Sequence, residues 1–202
     1  MSSREPVILG IDTSNYTTSA ARLEGENLQQ NKKLLPVKPG QLGLRQSDAV
    51  FHHVQQLPDI LAPLLEDAPA LRAVGVSDRP RAQEGSYMPC FLAGASQGQV
   101  LAQVLGVPFY AFSHQQGHLA AAAWSAGRMD LLDRPFLAWH LSGGTTELLR
   151  VEPEEDGVAV RAEILGGTSD ISAGQLIDRA GVLLGLQFPA GKALDALYSQ
   201  AD

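Results

Sequence analysis

Two histidines four residues apart, His114 and His118, are the side chains of this sequence best suited to metal chemistry. They lie in the run His-Gln-Gln-Gly-His, between a short apolar segment and an alanine-rich one. If the run is helical, positions four apart share one face, and both imidazoles can reach a single ion. Zinc and iron(II) accept neutral imidazole. The pair therefore predicts half of a metal site that takes a further ligand from elsewhere. The alternative is two unligated histidines at a helix start.

Two other motifs are suited to binding phosphate. Asp12 ends an apolar run and is followed by small polar residues, an arrangement typical of phosphate or magnesium-phosphate chemistry. Gly143 and Gly144 follow a second apolar run, and glycine lets backbone amides approach an anion closely. Each motif has a simpler interpretation, because Asp12 can cap a hairpin turn and paired glycines can form one.

The elements that would position these residues follow from apolar patterning. Strands alternate apolar and polar residues, whereas helices repeat apolar residues every three or four positions. The first part of the chain predicts strands at 7–12, 18–24, 27–35, 71–76 and 107–112, and helices from 47 or 48 to 65 and within 86–105. Alternating helices and strands imply a partly parallel sheet.

A second round of the same pattern begins after Gly127. It predicts strands at 136–141, 147–151 and 158–165, followed by about one helix at 172–184. We therefore expect two domains, 1–128 and 129–202, of which the second is incomplete. A truncated protein of this kind would expose faces that its missing elements normally cover, and it would be inactive by itself.

Composition limits the function classes. The chain has 202 residues and 45% hydrophobic content, enough for a real core. Its net charge of −7 argues against autonomous nucleic-acid binding, which needs a basic surface. The single cysteine, Cys90, excludes an internal disulfide framework. We predict a cytoplasmic protein with no membrane association, because no apolar run has the length of a membrane span.

Taken in order, these segments resemble the TsaD/Gcp family of tRNA threonylcarbamoyladenosine synthases, formerly called O-sialoglycoprotein endopeptidases. The resemblance covers nearly the whole chain. It rests on motifs that occur in the family's order and spacing, namely Gly10–Ser14, the pair His114 and His118, Leu141–Gly144, Gly174–Arg179 and Leu183–Gly191.

The resemblance implies an α/β fold of the actin/Hsp70/sugar-kinase type, in which RNase H-like lobes with mixed five-stranded sheets enclose a nucleotide. It implies transfer of a threonylcarbamoyl group from threonylcarbamoyl-AMP to adenosine 37 of tRNAs that read codons beginning with A. The expected cofactors are one divalent metal, iron or zinc, and an ATP- or AMP-type nucleotide. The expected partners are tRNA, held by other proteins or a local basic patch, further proteins of the threonylcarbamoyladenosine pathway, and a second copy of the chain.

Residue roles follow where positions match. His114 and His118 match the family's two metal-binding histidines; the third family ligand is an aspartate near the far C-terminus, which this sequence lacks. The positions expected to bind nucleotide or substrate are Asp12, His140, Leu141, Ser142, Gly143, Gly144, Asp178, Gly191 and Asp195. The sequence assigns no catalytic base.

The chain departs from the family pattern at several motifs. Neutral residues replace acidic ones or a histidine in four of them: Asn15–Thr17 for Cys-Asp-Glu, Gln116 in HxEGH, Thr145 in SGGHT, and Asp170–Gln175 for DDAxGE. The GPG loop after the fourth strand reads Asp78–Arg81. Losing carboxylates near a metal would change its charge balance and any acid-base step. These changes favour a divergent paralogue.

Two other functions stay open. One is a non-catalytic, actin-like partner or scaffold subunit of the tRNA-modification complex, although such a partner is not expected to keep the HxxGH pair. The other, weighted lowest, is a metalloglycoprotease. The run His-Gln-Gln-Gly-His lacks the glutamate that an HExxH protease uses as its base.

Overall fold

The computed structural model describes residues 5–37, 44–66, 70–155 and 157–200. The chain forms two compact units, Met1–Ala122 and Ala123–Asp202, and each contains its own sheet. Most of the Pro- and Gly-containing segment 36–44, which the sequence predicts as a loop before the first helix, lies outside the described residues. The predicted domain boundary at residue 128 stays a prediction.

The first unit is built on a mixed five-stranded sheet. Its strands are β1 (Val7–Asp12), β2 (Thr17–Glu24), β3 (Asn27–Leu34), β4 (Leu71–Arg79) and β5 (Phe109–Ser113). They lie in the order β3-β2-β1-β4-β5. The first three strands pair antiparallel, whereas β1 with β4 and β4 with β5 pair parallel. This mixed sheet confirms the predicted α/β class and its RNase H-like strand order.

Three helices accompany this sheet: α1 (Gln46–Leu65), α2 (Phe91–Leu105) and α3 (His114–Ser125). The core between sheet and helices is apolar, with Leu9 and Val74 fully buried. The small residues of α2 let it approach the sheet closely. A Cβ placed on Gly98 would overlap Val76. The helix therefore needs glycine at this position.

The second unit contains an antiparallel sheet of β6 (Phe136–Leu141), β7 (Thr146–Pro153) and β8 (Val160–Gly167), in that order. A short 3-10 helix, Met129–Asp133, precedes it. On β6, Leu137 and Trp139 are exposed by 63% and 66%. An apolar face of this sheet is therefore uncovered within the described part of the chain.

Two helices follow β8, not one. They are α4 (Ala173–Leu183) and α5 (Gly191–Tyr198). The sequence prediction was wrong about α5 because the helix has only eight residues and follows a Pro-Ala-Gly run that reads as a loop. Tertiary contact stabilises it, since Leu194 packs near Gly181 of α4.

Candidate functional site

The carboxyl ends of the three parallel strands meet at one edge of the first sheet. Asp12 ends β1, Ser77 lies near the end of β4, and Ser113 ends β5 just before α3. Gln115 donates its backbone N–H to the carbonyl of Pro80 at 3.1 Å, which ties the loop after β4 to the first turn of α3. Ligand sites of open α/β sheets form at such edges.

Asp12, His114 and His118 form a continuous chain of hydrogen bonds at this edge. Asp12 Oδ2 lies 2.8 Å from His114 Nδ1, and His114 Nε2 lies 2.8 Å from His118 Nε2. The two imidazole rings have their centroids 4.2 Å apart. The run is helical, and its spacing of four residues therefore brings both histidines together on one face of α3.

The carboxylate of Asp12 is held on both oxygens. Its Oδ1 accepts the backbone N–H of Ser14 at 2.7 Å. Burial acts to raise the pKa of Asp12, but the hydrogen bond and charge of His114, with hydrogen bonds from Ser14 and Ser77, outweigh it. The pKa of this carboxyl therefore lies well below its usual range. Asp12 is ionised at neutral pH.

The histidine pair is suited to two positions in a metal coordination shell. The two Nε2 atoms share one hydrogen bond at 2.8 Å, and the exposed fraction of the His114 side chain is 36%, so an ion that replaced the shared proton would contact both rings. Asp12 contacts His114 on the opposite ring nitrogen and is therefore not a ligand to the same ion. Among the described residues, no group of three or more His, Cys, Asp or Glu side chains is arranged to hold a metal.

Gln116 has a structural role that the sequence comparison did not anticipate. Its buried Oε1 accepts the backbone N–H of Ser113 at 2.7 Å and the Ser113 hydroxyl at 3.0 Å. In return, Ser113 Oγ accepts the backbone N–H of Gln116 at 3.2 Å. This reciprocal pattern is a capping box at the start of α3. Replacing glutamate by glutamine here therefore preserves the helix cap, and the side chain is not available as a base.

In the second unit, the loop between β6 and β7 packs against the start of α4. The Ser172 hydroxyl donates to the carbonyl of Gly143 at 2.7 Å, and the backbone N–H of Gly174 donates to the carbonyl of Ser142 at 3.3 Å. A Cβ on Gly174 would lie 2.7 Å from both Gly143 Cα and the Ser142 oxygen. The exposed Ser142, Gly143 and Gly144 are thus held at a helix N-terminus, where anions bind favourably.

The other candidates for nucleotide or substrate binding occupy separate places in this unit. His140 pairs with Glu147 across β6 and β7, with Nδ1 and Oε2 3.7 Å apart, while Leu141 is exposed. Asp178 Oδ1 accepts the backbone N–H of Ala190, the N-cap of α5, at 2.8 Å. Gly191 and Asp195 lie on α5.

The loop that replaces the family's GPG segment is stabilised internally. Arg79 contacts both carboxylate oxygens of Asp78 at 2.7 and 2.8 Å, and the backbone N–H of Arg81 donates to the Ser86 hydroxyl at 2.9 Å. Asn15, at the altered Cys-Asp-Glu segment, has a positive φ of 50° in the turn between β1 and β2. Asparagine tolerates this conformation better than most residues.

Comparison with known proteins identifies the family. The family model described as TsaD, tRNA N6-adenosine threonylcarbamoyltransferase, matches residues 29–201. The chain belongs to the TsaD family. The tRNA N6-adenosine threonylcarbamoyltransferase of Latilactobacillus sakei is 31% identical over 98% of the chain, and that of Enterococcus faecalis is 32% identical over 95%. These alignments cover 55% and 53% of the two relatives, so the TsaD-family chain spans about half their length.

Among solved structures, YeaZ from Pseudomonas aeruginosa is similar in fold. It shares 16% sequence identity with a TM-score of 0.48, over 84% of this chain and 68% of that one. Within residues 5–37, 44–66, 70–155 and 157–200 of the TsaD-family chain, no helix is long and apolar enough to cross a membrane.

Sequence reasoning missed the position of Asp12 beside the histidine pair. It assigned Asp12 to phosphate chemistry or to capping a turn, and it did not connect the residue with His114, which follows 102 positions later. The sequence did contain a signal for this contact. Asp12 ends one predicted strand and His114 follows another, and the carboxyl ends of parallel strands lie at the same edge of a sheet. The capping box was also readable, as Ser113 and Gln116 have the Ser-x-x-Gln spacing.

Proposed function

We propose that this TsaD-family chain carries metal-binding and phosphate-binding residues of a threonylcarbamoyltransferase that modifies N6 of adenosine 37 in tRNA. The donor would be threonylcarbamoyl-AMP. The observation that carries the proposal is the convergence of His114 Nε2 and His118 Nε2, 2.8 Å apart, at the carboxyl edge of the first sheet. The matching family model and the curated relatives support the same reaction.

The proposed reaction is an acyl transfer. The N6 amine attacks the carbamoyl carbon, the bond to the phosphate oxygen breaks, AMP leaves, and the amine loses a proton. A divalent iron or zinc ion bound by His114 and His118 would act as a Lewis acid or orient the carbamoyl group and AMP. Further ligands would come from substrate, from solvent or from residues outside the described part of the chain.

The second unit would hold the adenylate. The Ser142–Gly144 loop is exposed and lies at the start of α4, where the helix dipole favours phosphate oxygens. The first N–H groups of α4 themselves donate to Thr146, Ser142 and Ser172. Asp178 would accept hydrogen bonds from ribose hydroxyls, using the carboxylate oxygen other than the one that accepts the Ala190 N–H. His140, Leu141, Gly191 and Asp195 would complete the contacts of this unit with nucleotide or substrate. In the first unit, Asp12 is the proposed contact with nucleotide or substrate.

The net charge of −7 bears on how a tRNA would be bound. A negatively charged protein repels the phosphate backbone unless a local basic patch or a partner supplies positive charge. We therefore propose that tRNA is bound together with other proteins of the threonylcarbamoyladenosine pathway or with a second copy of the chain. The proposed location is the cytoplasm, where tRNA is available, without membrane association.

A non-catalytic partner or scaffold subunit is the second candidate function. It is favoured by the absence, among the described residues, of three His, Cys, Asp or Glu side chains arranged around a metal. The neutral residues Tyr16 and Thr17 in place of acidic ones also favour it. The two candidates make different predictions for metal and nucleotide binding.

The proposed function is tested by metal analysis and by calorimetric titration of AMP. The purified chain, a His114→Ala/His118→Ala variant and a His52→Ala control are each loaded with zinc or iron(II) and dialysed. We expect near-stoichiometric metal in the chain and the control, and its loss in the double variant with an unchanged circular dichroism spectrum. Micromolar AMP binding would then justify assaying modified adenosine 37 by nucleoside mass spectrometry.

Equal metal content in the chain and the double variant would refute the metal assignment. Absence of both metal and AMP binding in the folded chain would favour the scaffold function. Partner binding could then be measured directly with purified pathway proteins.

A further inference from the structure

Asp12 is more tightly fixed than a turn-capping aspartate needs to be. The bond from the Ser14 N–H to Oδ1 at 2.7 Å is sufficient to cap the turn after β1. The second oxygen points to α3 and contacts His114 Nδ1 at 2.8 Å. The strand behind it is anchored in the core by Leu9 and Ile11, which are 0% and 3% exposed. The carboxylate is therefore a rigid acceptor facing one ring nitrogen.

The hydrogen bond between Asp12 Oδ2 and His114 Nδ1 determines which ring nitrogen of His114 carries the proton. A neutral imidazole has one ring proton, and an ionised carboxylate can only accept. The proton is therefore on Nδ1, where it is donated to Asp12, and Nε2 carries the lone pair. In the metal-free chain that lone pair accepts a hydrogen bond from His118 Nε2 at 2.8 Å, on the exposed side of the pair.

We propose that Asp12 is a positioning residue that holds His114 as the Nδ1–H tautomer and so leaves its Nε2 lone pair available to a divalent cation. The Nε2 proton of His118, which hydrogen-bonds that lone pair in the metal-free chain, would move to the other ring nitrogen of His118 when the ion binds. This inference rests on the proposed metal function and adds a residue to it. Asp12 acts through His114, because it contacts the ring on the nitrogen opposite the metal-facing one. Carboxylates in this position orient metal-binding histidines and raise their basicity.

The arrangement also accounts for the position of Asp12 in the sheet. β1 is the central strand, between β2 and β4, and the chain from β5 enters α3 at the same edge. A carboxylate at the end of β1 therefore fixes the first histidine of α3 from outside the helix. The capping box of Ser113 and Gln116 fixes the same turn from within. The hydrogen bond to Asp12 and the capping box both restrict the conformation of His114 before any ion binds.

The test compares Asp12→Asn with Asp59→Asn, a matched substitution at an exposed position of α1 in the same unit. The first readout is the ring-nitrogen chemical shifts of His114 in the metal-free chain above pH 7. The second is zinc affinity, measured by competition with a chromophoric chelator. Circular dichroism establishes that each variant is folded.

We expect His114 to be the Nδ1–H tautomer in the unmodified chain and in Asp59→Asn, and to populate both tautomers in Asp12→Asn. Zinc affinity should fall about 10- to 100-fold in Asp12→Asn alone. A ring proton on Nε2 in the unmodified chain, a measurement that needs no variant, would overturn the inference. If both variants bind zinc, equal affinity of Asp12→Asn and Asp59→Asn would overturn it as well.

The tautomer measurement separates this inference from the proposed function. If the chain binds no zinc but His114 shows the expected tautomer only when Asp12 is present, the positioning role is supported and the metal function fails. If zinc binds and the tautomer is independent of Asp12, the metal function survives and the positioning role fails.

Discussion

The side chain of Gln116 accepts two hydrogen bonds from Ser113, one from its backbone N–H and one from its hydroxyl. These bonds close the first turn of α3, which carries His114 and leads to His118. A residue that differs from the family pattern thus performs a task that glutamine and glutamate share. The main structural role of glutamine at this position is therefore to cap the helix.

Substitutions at Gln116 should separate capping from acid chemistry. Gln116→Glu keeps an acceptor oxygen and should leave the free energy of unfolding within about 1 kcal/mol of the original. Gln116→Ala removes the acceptor from a buried turn and should destabilise the chain by about 1–2 kcal/mol. Urea unfolding followed by circular dichroism measures both, with Gln99→Ala on the exposed side of α2 as control. Equal stability of Gln116→Ala and the control would contradict the capping role.

A buried polar network between β2 and α1 should make the free energy of unfolding depend on pH. Thr18 donates its hydroxyl to Gln56 Oε1 and contacts His53 Nδ1, both at 2.8 Å, and His53 is fully buried. Burial lowers the pKa of His53 below its usual value of 6.5, although the Asn15 backbone and Asp12 oppose the shift. The folded state therefore holds the imidazole neutral, whereas the unfolded chain protonates it below about pH 6.5.

The sign of the dependence follows from the proton count. Below pH 6.5 the unfolded state binds more protons, so the stability contributed by neutral His53 is present above that pH and is lost as pH falls. The unfolding free energy should decline between pH 7 and 5 with a slope of at most about 1.4 kcal/mol per pH unit from this group. His53→Leu should flatten that slope even if it lowers stability, whereas His52→Leu should not. Identical slopes in both variants would argue against His53 as the source.

Close packing at Gly174 should be essential to the loop between β6 and β7. Alanine is a better helix former than glycine by about 1 kcal/mol, so Gly174→Ala would stabilise α4 if space allowed. Its Cβ would instead lie 2.7 Å from Gly143 Cα, and we expect destabilisation of about 1–3 kcal/mol. Gly166→Ala, where nothing lies within 4 Å of the added carbon, is the control in a strand. A more stable Gly174→Ala protein would refute the packing argument.

Asp178 should stabilise the start of α5 independently of any nucleotide. Its Oδ1 accepts the Ala190 N–H at 2.8 Å, so Asp178→Ala should speed hydrogen exchange of that amide by about tenfold, equivalent to about 1.4 kcal/mol. Asp178→Asn keeps an acceptor oxygen and should change exchange far less. Exchange measured by NMR in the absence of nucleotide isolates this effect. Unchanged exchange at Ala190 in both variants would show that the hydrogen bond contributes little.

Much of the fold was predictable because local patterns determine it. The apolar runs gave the bounds of β1 and β6, and the spacing of His114 and His118 required the helix that the structure contains. What sequence reasoning missed depends on tertiary contact. The eight-residue α5 forms against α4, and the hydrogen bond between Asp12 and His114 joins residues 102 positions apart. Neither contact produces a periodic pattern of apolar residues that could be recognised in the sequence.

The meeting of β1 and β5 at one edge has a consequence for how the protein would respond to metal. An ion held by His114, itself held by Asp12, would bind only when β1, β4 and β5 are assembled in register. Binding energy is therefore drawn from the folded state alone, and saturation at 100 times the dissociation constant would add about 2.7 kcal/mol to its stability. The melting temperature of the first unit would then rise with the concentration of free metal. In a cell with little available metal, a larger fraction of the protein would be unfolded and exposed to proteolysis.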